Sequence, residues 1–380
     1  MSFSTYYDST DTGLAGVSQV AGSYVTFLDA VLVNGYNSKT LTSLTSVGTL
    51  VTATLTSHGY RDRQFVTISG ATPSAYNGTW QIIPGTTSSS TFQFNVASAP
   101  GSSATGTLAC IVASLGWSIA FTGTNLRAYQ APAGNRLFLR IDDTGTTSAR
   151  VVGYETMTDV NTGVNPFPTT VQLSGGAFWP KASAAVARRM ILNGNASNFN
   201  THVDYSGDTS TGVFSAFGDG TSFKTGDAWA TAMVGCGSIN TALQEGSELT
   251  TTSITAMLGH FIARSYTQVA GAVTCNKIAT SFMGAQPSGA YPMGGASMAL
   301  PSPNPSDGNY WTSQLYLYEV AATTPRCSLP GVIVPLHSRP LTNYTIYQGA
   351  GGLSGREFMA INLAALSANG QVWLEVSNTF

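Results

Sequence analysis

Three pairs of carboxylates are close enough in sequence to suggest acid–base or calcium chemistry: Asp142 with Asp143, Asp204 with Asp208, and Asp219 with Asp227. Two carboxylates can hydrolyse a glycosidic bond, and clustered carboxylates hold calcium. Each pair lies at or near a turn, however, where Asp beside Gly is ordinary turn chemistry, and no DxDxDG pattern accompanies them. We therefore predict no metal site, with Asp142 and Asp143 as the first candidates if a cation does bind.

Four histidines could act as bases, namely His58, His202, His260 and His337. None lies in a GxSxG, HExxH or other catalytic pattern, and no phosphate-binding loop is present. The glycine-rich run 349–354 has Ser where a GxGxxG motif needs its third glycine. The sequence thus predicts no catalytic residues and no cofactor, and we expect the histidines to be loop residues or hydrogen-bonded core residues.

Aromatic residues between positions 76 and 94 are the remaining candidates for a contact surface. Trp80 and Phe94 fall in strand patterns, so core packing explains them first. Tyr76 precedes Asn77-Gly78, a turn dipeptide, and is expected to be exposed. Tyr76, Asn77 and Trp80 are therefore the contact candidates.

The elements that would position these residues are mostly short strands. One amphipathic helix stands out, with Ser23 as its predicted N-cap and Gly35 after its last turn; its apolar positions are Tyr24, Phe27, Leu28, Val31 and Leu32. A hairpin is predicted from 136–141 and 149–154 around Asp142-Asp143-Thr144-Gly145. Further strands are predicted at 170–173, 190–192, 200–204, 214–217, 230–234, 314–320, 331–335 and 371–376, with 181–189 irregular and 284–310 an extended Gly/Pro-rich loop.

Residues 40–115 have the pattern of an inserted β module. Without them, the turn at Asn34-Gly35-Tyr36 continues directly into the strand that begins at Gly116-Trp117. Strands are predicted within the module at 50–56, 64–70, 79–83, 91–96 and 106–112. Surface loops tolerate such insertions while the host core stays intact. We predict a β-sandwich-like host domain (1–39 and 116–283), a small all-β insert (40–115), and C-terminal strands that pack on the host (284–380).

Composition restricts the function classes. Charged residues make up 9% of the chain, against roughly a quarter in ordinary soluble domains. Low charge fits a surface covered by neighbouring subunits, because buried charges must be paired, and it also fits a secreted β protein with a Ser/Thr surface. A net charge of −2 without basic clusters argues against nucleic-acid binding, and no run approaches the roughly 20 apolar residues of a membrane span. The four cysteines show no CxxC spacing, so free, mostly buried thiols are expected.

Several segments resemble a family of virion proteins of tailed bacteriophages: 9–13, 28–36, 116–125, 139–145, 149–160 and 217–219. Separately, 66–79, 97–101 and 104–107 look like a small β module that recurs in phage tail proteins. In the family, the turn after Asn34-Gly35-Tyr36 runs straight into the Gly116-Trp117 strand, which the insert interrupts here. The resemblance implies a place in the virion and no reaction.

The expectation is therefore a non-enzymatic structural protein of a tailed-phage virion, in the tail or baseplate region, assembled in the host cytoplasm. Its expected partners are other virion proteins and further copies of itself, with no nucleic acid and no membrane insertion. The alternatives are a receptor- or carbohydrate-binding tail-tip protein whose insert contacts a host glycan or receptor, and a capsid decoration protein. A depolymerising enzyme would need a close carboxylate pair.

Overall fold

The computed structural model describes residues 5–207, 212–243, 259–269, 271–279, 312–320, 325–335, 341–363 and 370–376. Within these residues the chain is mainly β, with antiparallel pairing throughout the assigned sheets and one short N-terminal helix, which confirms the predicted fold class. The predicted loop 284–310, together with Asp208 and His337, lies outside the described residues.

The helix begins as predicted but is capped differently. An α-helix, Ser23–Leu28, continues as a π-helix, Asp29–Asn34, whose last turn closes through the Gly35 N–H and the Ala30 carbonyl at 2.8 Å. The five predicted apolar positions are all buried. Gly22, in the left-handed conformation, is the N-cap. The prediction of Ser23 as N-cap was wrong, because its hydroxyl bonds the backbone of Ser18 instead.

The first half of the chain holds strands β1 to β14. Their bounds are β1 (Thr5–Asp8), β2 (Tyr36–Thr40), β3 (Ser43–Val47), β4 (Leu50–Thr54), β5 (Phe65–Ser69), β6 (Gly78–Gln81), β7 (Thr91–Asn95), β8 (Ala109–Val112), β9 (Ser118–Gly123), β10 (Leu126–Gln130), β11 (Phe138–Asp142), β12 (Ser148–Tyr154), β13 (Thr156–Met157) and β14 (Gly163–Val164). A 3₁₀ turn, Ser74–Tyr76, precedes β6.

The second half holds strands β15 to β27. Their bounds are β15 (Ala177–Pro180), β16 (Met190–Gly194), β17 (Asn198–Asp204), β18 (Gly212–Asp219), β19 (Thr221–Ser222), β20 (Thr231–Val234), β21 (His260–Ile262), β22 (Val273–Ala279), β23 (Thr312–Glu319), β24 (Pro325–Pro335), β25 (Ile346–Gln348), β26 (Glu357–Leu363) and β27 (Gly370–Glu375). A 3₁₀ turn, Gly351–Leu353, lies between β25 and β26.

The strands form one large sheet and several small ones. The large sheet has the order β1-β16-β17-β18-β20-β21-β22-β23-β24-β27-β26-β25, with β19 paired to β24. A five-stranded sheet has the order β15-β12-β11-β10-β9 and contains the predicted hairpin, β11 with β12. The strands β13 and β14 form a separate pair.

Two further sheets account for every strand predicted between residues 40 and 115. They have the orders β2-β8-β5-β6 and β3-β4-β7, and an isolated bridge between Ile82 and Phe94 joins them. Strand β2 starts before residue 40 and belongs to the first of these sheets. We call residues 40–115 with these two sheets the module; its boundaries as a domain remain a prediction.

One predicted strand is wrong. Residues 170–173 form a turn, in which the Gln172 side-chain oxygen accepts the Thr169 N–H at 2.9 Å and leaves Val171 93% exposed. The single apolar Val171–Leu173 alternation was too short to define a strand, because the polar side chains of Thr169 and Gln172 satisfy the backbone locally. The segment 181–189 is irregular, as predicted.

One cluster of buried apolar side chains extends from the module through the N-terminal helix and the five-stranded sheet to strands β16 to β21 of the large sheet. It contains Leu44, Val66 and Phe92 of the module together with Tyr7 and Trp117 outside it. A second cluster lies on the large sheet. All four cysteines are buried and free, which confirms the expectation from their spacing.

Candidate functional site

Asp143 is a structural residue of the core. Its side chain is fully buried, and Oδ2 accepts the Tyr24 N–H at 2.7 Å and the Val25 N–H at 3.3 Å. These are backbone donors at the start of the helix that have no partner within it. Asp143 therefore caps the helix from more than a hundred residues away, a role that local sequence pattern does not reveal.

Lys181 neutralises Asp143. Its Nζ lies 2.6 Å from Asp143 Oδ1, with both side chains 0% exposed, and it also donates to the carbonyl oxygens of Val20 and Gly145. Burial raises the pKa of Asp143, and the ammonium of Lys181 offsets this only in part. Asp143, one of the two first candidates for a metal site, is thus paired with the ammonium group of Lys181.

Asp142, by contrast, stabilises the hairpin turn between β11 and β12. Its Oδ1 accepts the Thr144 N–H at 3.2 Å and the Thr144 hydroxyl at 2.6 Å, the pattern of an Asx turn. Burial disfavours its charged form, but these hydrogen bonds and Arg140 outweigh that effect and lower the pKa of Asp142. The two adjacent aspartates do not converge on one site.

The other aspartates are also engaged. Asp219 accepts hydrogen bonds from the Asn135 N–H and the Thr231 hydroxyl, and burial raises its pKa. Asp227 is paired with the buried Arg326, which bonds Glu319 on its other side. Burial opposes the charge on Asp227, but the hydrogen bonds from Arg326 and Ser222 outweigh it and lower the pKa. In the part of the chain that the structure describes, no group of three or more His, Cys, Asp or Glu residues could hold a metal ion.

The described histidines lie in the core. His58 stacks on Tyr60 and accepts its N–H at 3.0 Å. His202 is fully buried, and burial lowers its pKa to about 3, so it is neutral at physiological pH. His260 accepts the Gly235 N–H at 3.2 Å. All three are buried, and His58 and His260 are hydrogen-bonded.

The contact candidates of the module occupy different environments. Tyr76 is 0% exposed, so its expected exposure was wrong; its hydroxyl donates to the Ser102 carbonyl at 2.7 Å and bonds Ser46. The Asn77 side chain closes a loop by bonding both backbone groups of Ala71. Trp80 is half-buried, donates Nε1–H to the Tyr76 carbonyl and lies parallel to Phe94. These three side chains hold the module together.

Replacing Tyr76 by Phe is expected to lower the free energy of unfolding by about 1 kcal/mol, because a neutral hydrogen bond is lost while the buried ring stays. Chemical denaturation of the full chain measures this, with Tyr266→Phe, at a tyrosine 57% exposed, as control. An unchanged midpoint for Tyr76→Phe would contradict a role of its hydroxyl in the module core.

The segment Arg61-Asp62-Arg63 fastens the module to the rest of the chain. Arg61 pairs with Asp11, Nε to Oδ1 at 2.5 Å, and its guanidinium lies 3.8 Å over the Tyr6 ring. Arg63 pairs with Glu357 of β26 at 2.5 Å. The module is therefore held by charge-assisted contacts to Asp11, just after β1, and to Glu357 of β26, and both of these strands belong to the large sheet.

The exposed end of the module was not among the predicted contact residues. Val47 and Leu50 are cross-strand partners at the β3–β4 turn, and they are 86% and 36% exposed. We call residues 47–50 with the neighbouring loop 97–103 the module tip. A local signal was present, since Val47-Gly48-Thr49-Leu50 places apolar residues around a glycine turn.

Within the described residues, no helix is long and apolar enough to cross a membrane. No protein-family model matches the sequence. No curated protein matches it either. Among solved structures, the chain aligns with a protein described as phage phi92 endosialidase, at a TM-score of 0.18 and 11% identity, over 90% of this chain and 52% of that one. A similarity of this size carries no argument about fold or activity.

Proposed function

We propose that this chain is a non-enzymatic structural protein of a tailed-bacteriophage virion, located in the tail or baseplate region and present in multiple copies. The proposal starts from the resemblance of residues 9–39 and 116–230 to phage virion proteins, and from the module of a type that recurs in phage tails. The mainly β architecture is compatible with it.

The observation that carries the proposal is how the chain uses its few charges. Ten ion pairs occur among the described residues, and they involve more than half of all its Lys and Arg side chains. Most of these pairs join separate segments of the chain, so in the part that the structure describes much of the charge is used in internal contacts. A surface poor in charged groups suits contacts between subunits, whose central parts are depleted of charged residues.

The candidate carboxylates support the non-enzymatic part of the proposal. Asp143 accepts hydrogen bonds from the first turn of the helix, Asp142 accepts hydrogen bonds within the hairpin turn, and Asp227 forms an ion pair with the buried Arg326. A glycosidase instead needs two carboxyl groups that face a common sugar-binding space. Each of these three carboxylates instead interacts with groups of the chain itself, in a structural role.

Mass spectrometry of purified particles of the phage that encodes this chain tests the proposal. We expect peptides of the chain in stoichiometric multiples relative to single-copy virion proteins, and immunogold labelling at the tail or baseplate. Its absence from particles purified to constant composition would overturn the proposal, and labelling over the whole head would favour the capsid decoration alternative.

A further inference from the structure

The backbone fixes the two residues of the buried pair Lys181 and Asp143 on both sides of their contact. The Asp143 N–H donates to the Asn125 carbonyl, and the Asp143 carbonyl accepts the Gly22 N–H, each at 2.9 Å. The Lys181 N–H donates to the Thr147 carbonyl at 3.0 Å. Both side chains are 0% exposed. An amine and a carboxyl group are therefore kept in contact with each other and away from solvent.

The hydrogen bonds of the Lys181 side chain orient its nitrogen. Nζ donates to the Val20 carbonyl at 2.7 Å and to the Gly145 carbonyl at 3.0 Å. An ammonium has three N–H donors, so after the loss of one proton two N–H groups and a lone pair remain. The remaining contact of Nζ is Asp143 Oδ1 at 2.6 Å, an oxygen that forms no hydrogen bond of regular geometry. The lone pair of the neutral amine therefore faces the carboxyl group.

The Asp143 carboxyl group is placed for attack at its carbon. Nζ lies no more than about 3.8 Å from Cγ, because the C–O bond adds only about 1.2 Å to the 2.6 Å contact. Reacting atoms in a productive arrangement are about 3–3.5 Å apart. The other oxygen, Oδ2, accepts the Tyr24 N–H at 2.7 Å and the Val25 N–H at 3.3 Å. These two backbone donors stabilise the negative charge that attack on the carbon places on Oδ2.

We propose that Lys181 and Asp143 form an intramolecular amide bond, an isopeptide cross-link between the β11–β12 turn and the segment that follows β15. A proton first passes from Nζ to Oδ1, which gives an amine and a carboxylic acid. The Nζ lone pair then forms a bond to Cγ, and Oδ2 carries the negative charge of the intermediate. When the carbonyl group re-forms, the C–Oδ1 bond breaks, its electron pair stays with Oδ1, and a second Nζ proton completes a water molecule. No oxidant or other reactant is required, and the reaction does not depend on a place in the virion.

Burial favours the amide over a lasting ion pair. Removal from water disfavours both charges, so proton transfer within the pair becomes easier. Burial also raises the pKa of Asp143, which favours the acid form that can lose Oδ1 as water. The amide product carries no charge, and the exclusion of solvent at a side chain 0% exposed opposes its hydrolysis.

The choice of lysine distinguishes this pair from the other ion pairs of the described residues. All the others use arginine. An arginine stays protonated in proteins and has no free lone pair for attack, whereas a lysine can give up a proton. Only the pair of Lys181 with Asp143 therefore combines a possible nucleophile with a buried carboxyl group.

Intact-mass spectrometry of the purified full chain, followed by tryptic digestion, tests the proposal. We expect a mass lower than that of the sequence by one water. Trypsin does not cleave after an acylated lysine, so the reacted chain gives a branched peptide that joins 141–150 to 151–188. An unreacted chain gives 151–181 and 182–188 as separate peptides. Fragment spectra of the branched peptide should locate the link at Asp143 and Lys181.

Lys181→Arg keeps a positive charge beside Asp143 but cannot form the amide, so it should have its full mass and give no branched peptide. Lys224→Arg, at an exposed lysine, is the matched control and should lose one water like the wild type. The branched peptide of the wild type decides the question even if Lys181→Arg fails to fold.

A wild-type chain that is folded by circular dichroism and has the full mass would overturn the proposal. Loss of water without the branched peptide would overturn it as well, because cyclisation of an aspartate such as Asp219, which precedes Gly220, also releases water. Loss of water that persists in Lys181→Arg would likewise place the reaction elsewhere in the chain.

Discussion

Deletion of residues 40–115 is expected to abolish cooperative folding of the whole chain. The module shares one buried apolar cluster with Tyr7, Leu32 and Trp117. Exposing each large apolar side chain costs about 1.5–3 kcal/mol, and a few such exposures equal the roughly 5–15 kcal/mol that stabilise a typical domain. The sequence suggested that the host core would stay intact after excision, but this shared cluster gives a physical reason for the opposite result.

Circular dichroism and urea unfolding of the shortened chain measure this directly. A cooperative transition with a midpoint like that of the full chain would contradict the prediction and support an independent host domain. Because a deletion can fail for several reasons, Arg61→Met provides a milder test of the same attachment. It leaves the Asp11 carboxylate, only 2% exposed, without its guanidinium partner.

Arg61→Met is expected to lower the free energy of unfolding by up to about 3 kcal/mol. The full range for a buried pair is not reached, since Arg61 itself is 25% exposed and Tyr36 still donates to Asp11. Arg150→Ala, at an exposed arginine on β12, is the control and should change stability by less than about 0.5 kcal/mol. Equal effects of the two variants would show that Arg61 does not anchor the module.

Lys181→Met is expected to destabilise the chain more than Arg61→Met or Tyr76→Phe, by about 3–5 kcal/mol, because it leaves the Asp143 carboxylate buried without a counter-charge. The carboxylate also holds the N–H groups of Tyr24 and Val25, so it cannot move to solvent without uncapping the helix. Urea unfolding at pH 7 measures the loss. Lys224→Met, at an exposed lysine, is the matched control.

The deficit of Lys181→Met should shrink as the pH falls. Burial already raises the pKa of Asp143, and loss of the ammonium raises it further. The folded variant then binds a proton more readily than the unfolded chain, so its stability relative to the wild type rises as the pH falls through the folded pKa of Asp143. A deficit that stays constant between pH 7 and pH 4 would contradict this assignment.

Lys181→Met combined with Asp143→Asn separates charge from capping. The amide oxygen still accepts the Tyr24 and Val25 N–H groups, while no unpaired charge remains in the core. We expect this double variant to be more stable at pH 7 than Lys181→Met alone. If it is less stable, hydrogen bonding by the carboxylate, and not its charge, dominates at this position.

Local pattern predicted most of the elements. The spacing of Tyr24, Phe27 and Val31 defined the helix, and alternation around Asp142-Asp143 defined the hairpin β11–β12. Alternation within 40–115 located β4 to β8 of the module, whereas β3 (Ser43–Val47) was not predicted. These features depend on neighbours a few residues apart, which the sequence displays directly. The short run 170–173 failed because side-chain hydrogen bonds of Thr169 and Gln172 compete with a strand at that length.

The roles of the candidate site residues could not be predicted in this way. The position of Tyr76 beside a turn dipeptide indicated an exposed ring. In the structure its hydroxyl instead forms hydrogen bonds with Ser46 and Ser102, about thirty residues away in each direction. Asp143 in a turn indicated local bonding, yet it caps a helix more than a hundred residues earlier in the chain. Such partners are brought together only by the packing of distant strands.

By itself, the sequence determined that the chain is mainly β and poor in charge, and it predicted a module between Thr40 and Leu115, because composition and short-range periodicity depend on neighbouring residues. Only the tertiary structure decided how the few charges are used: Lys181 neutralises Asp143, and Arg61 and Arg63 fasten the module to Asp11 and Glu357. It also showed that Val47 and Leu50 form the exposed end of the module, whereas Tyr76 is buried. Burial and ion pairing depend on long-range contacts, and these exist only once the sheets have packed.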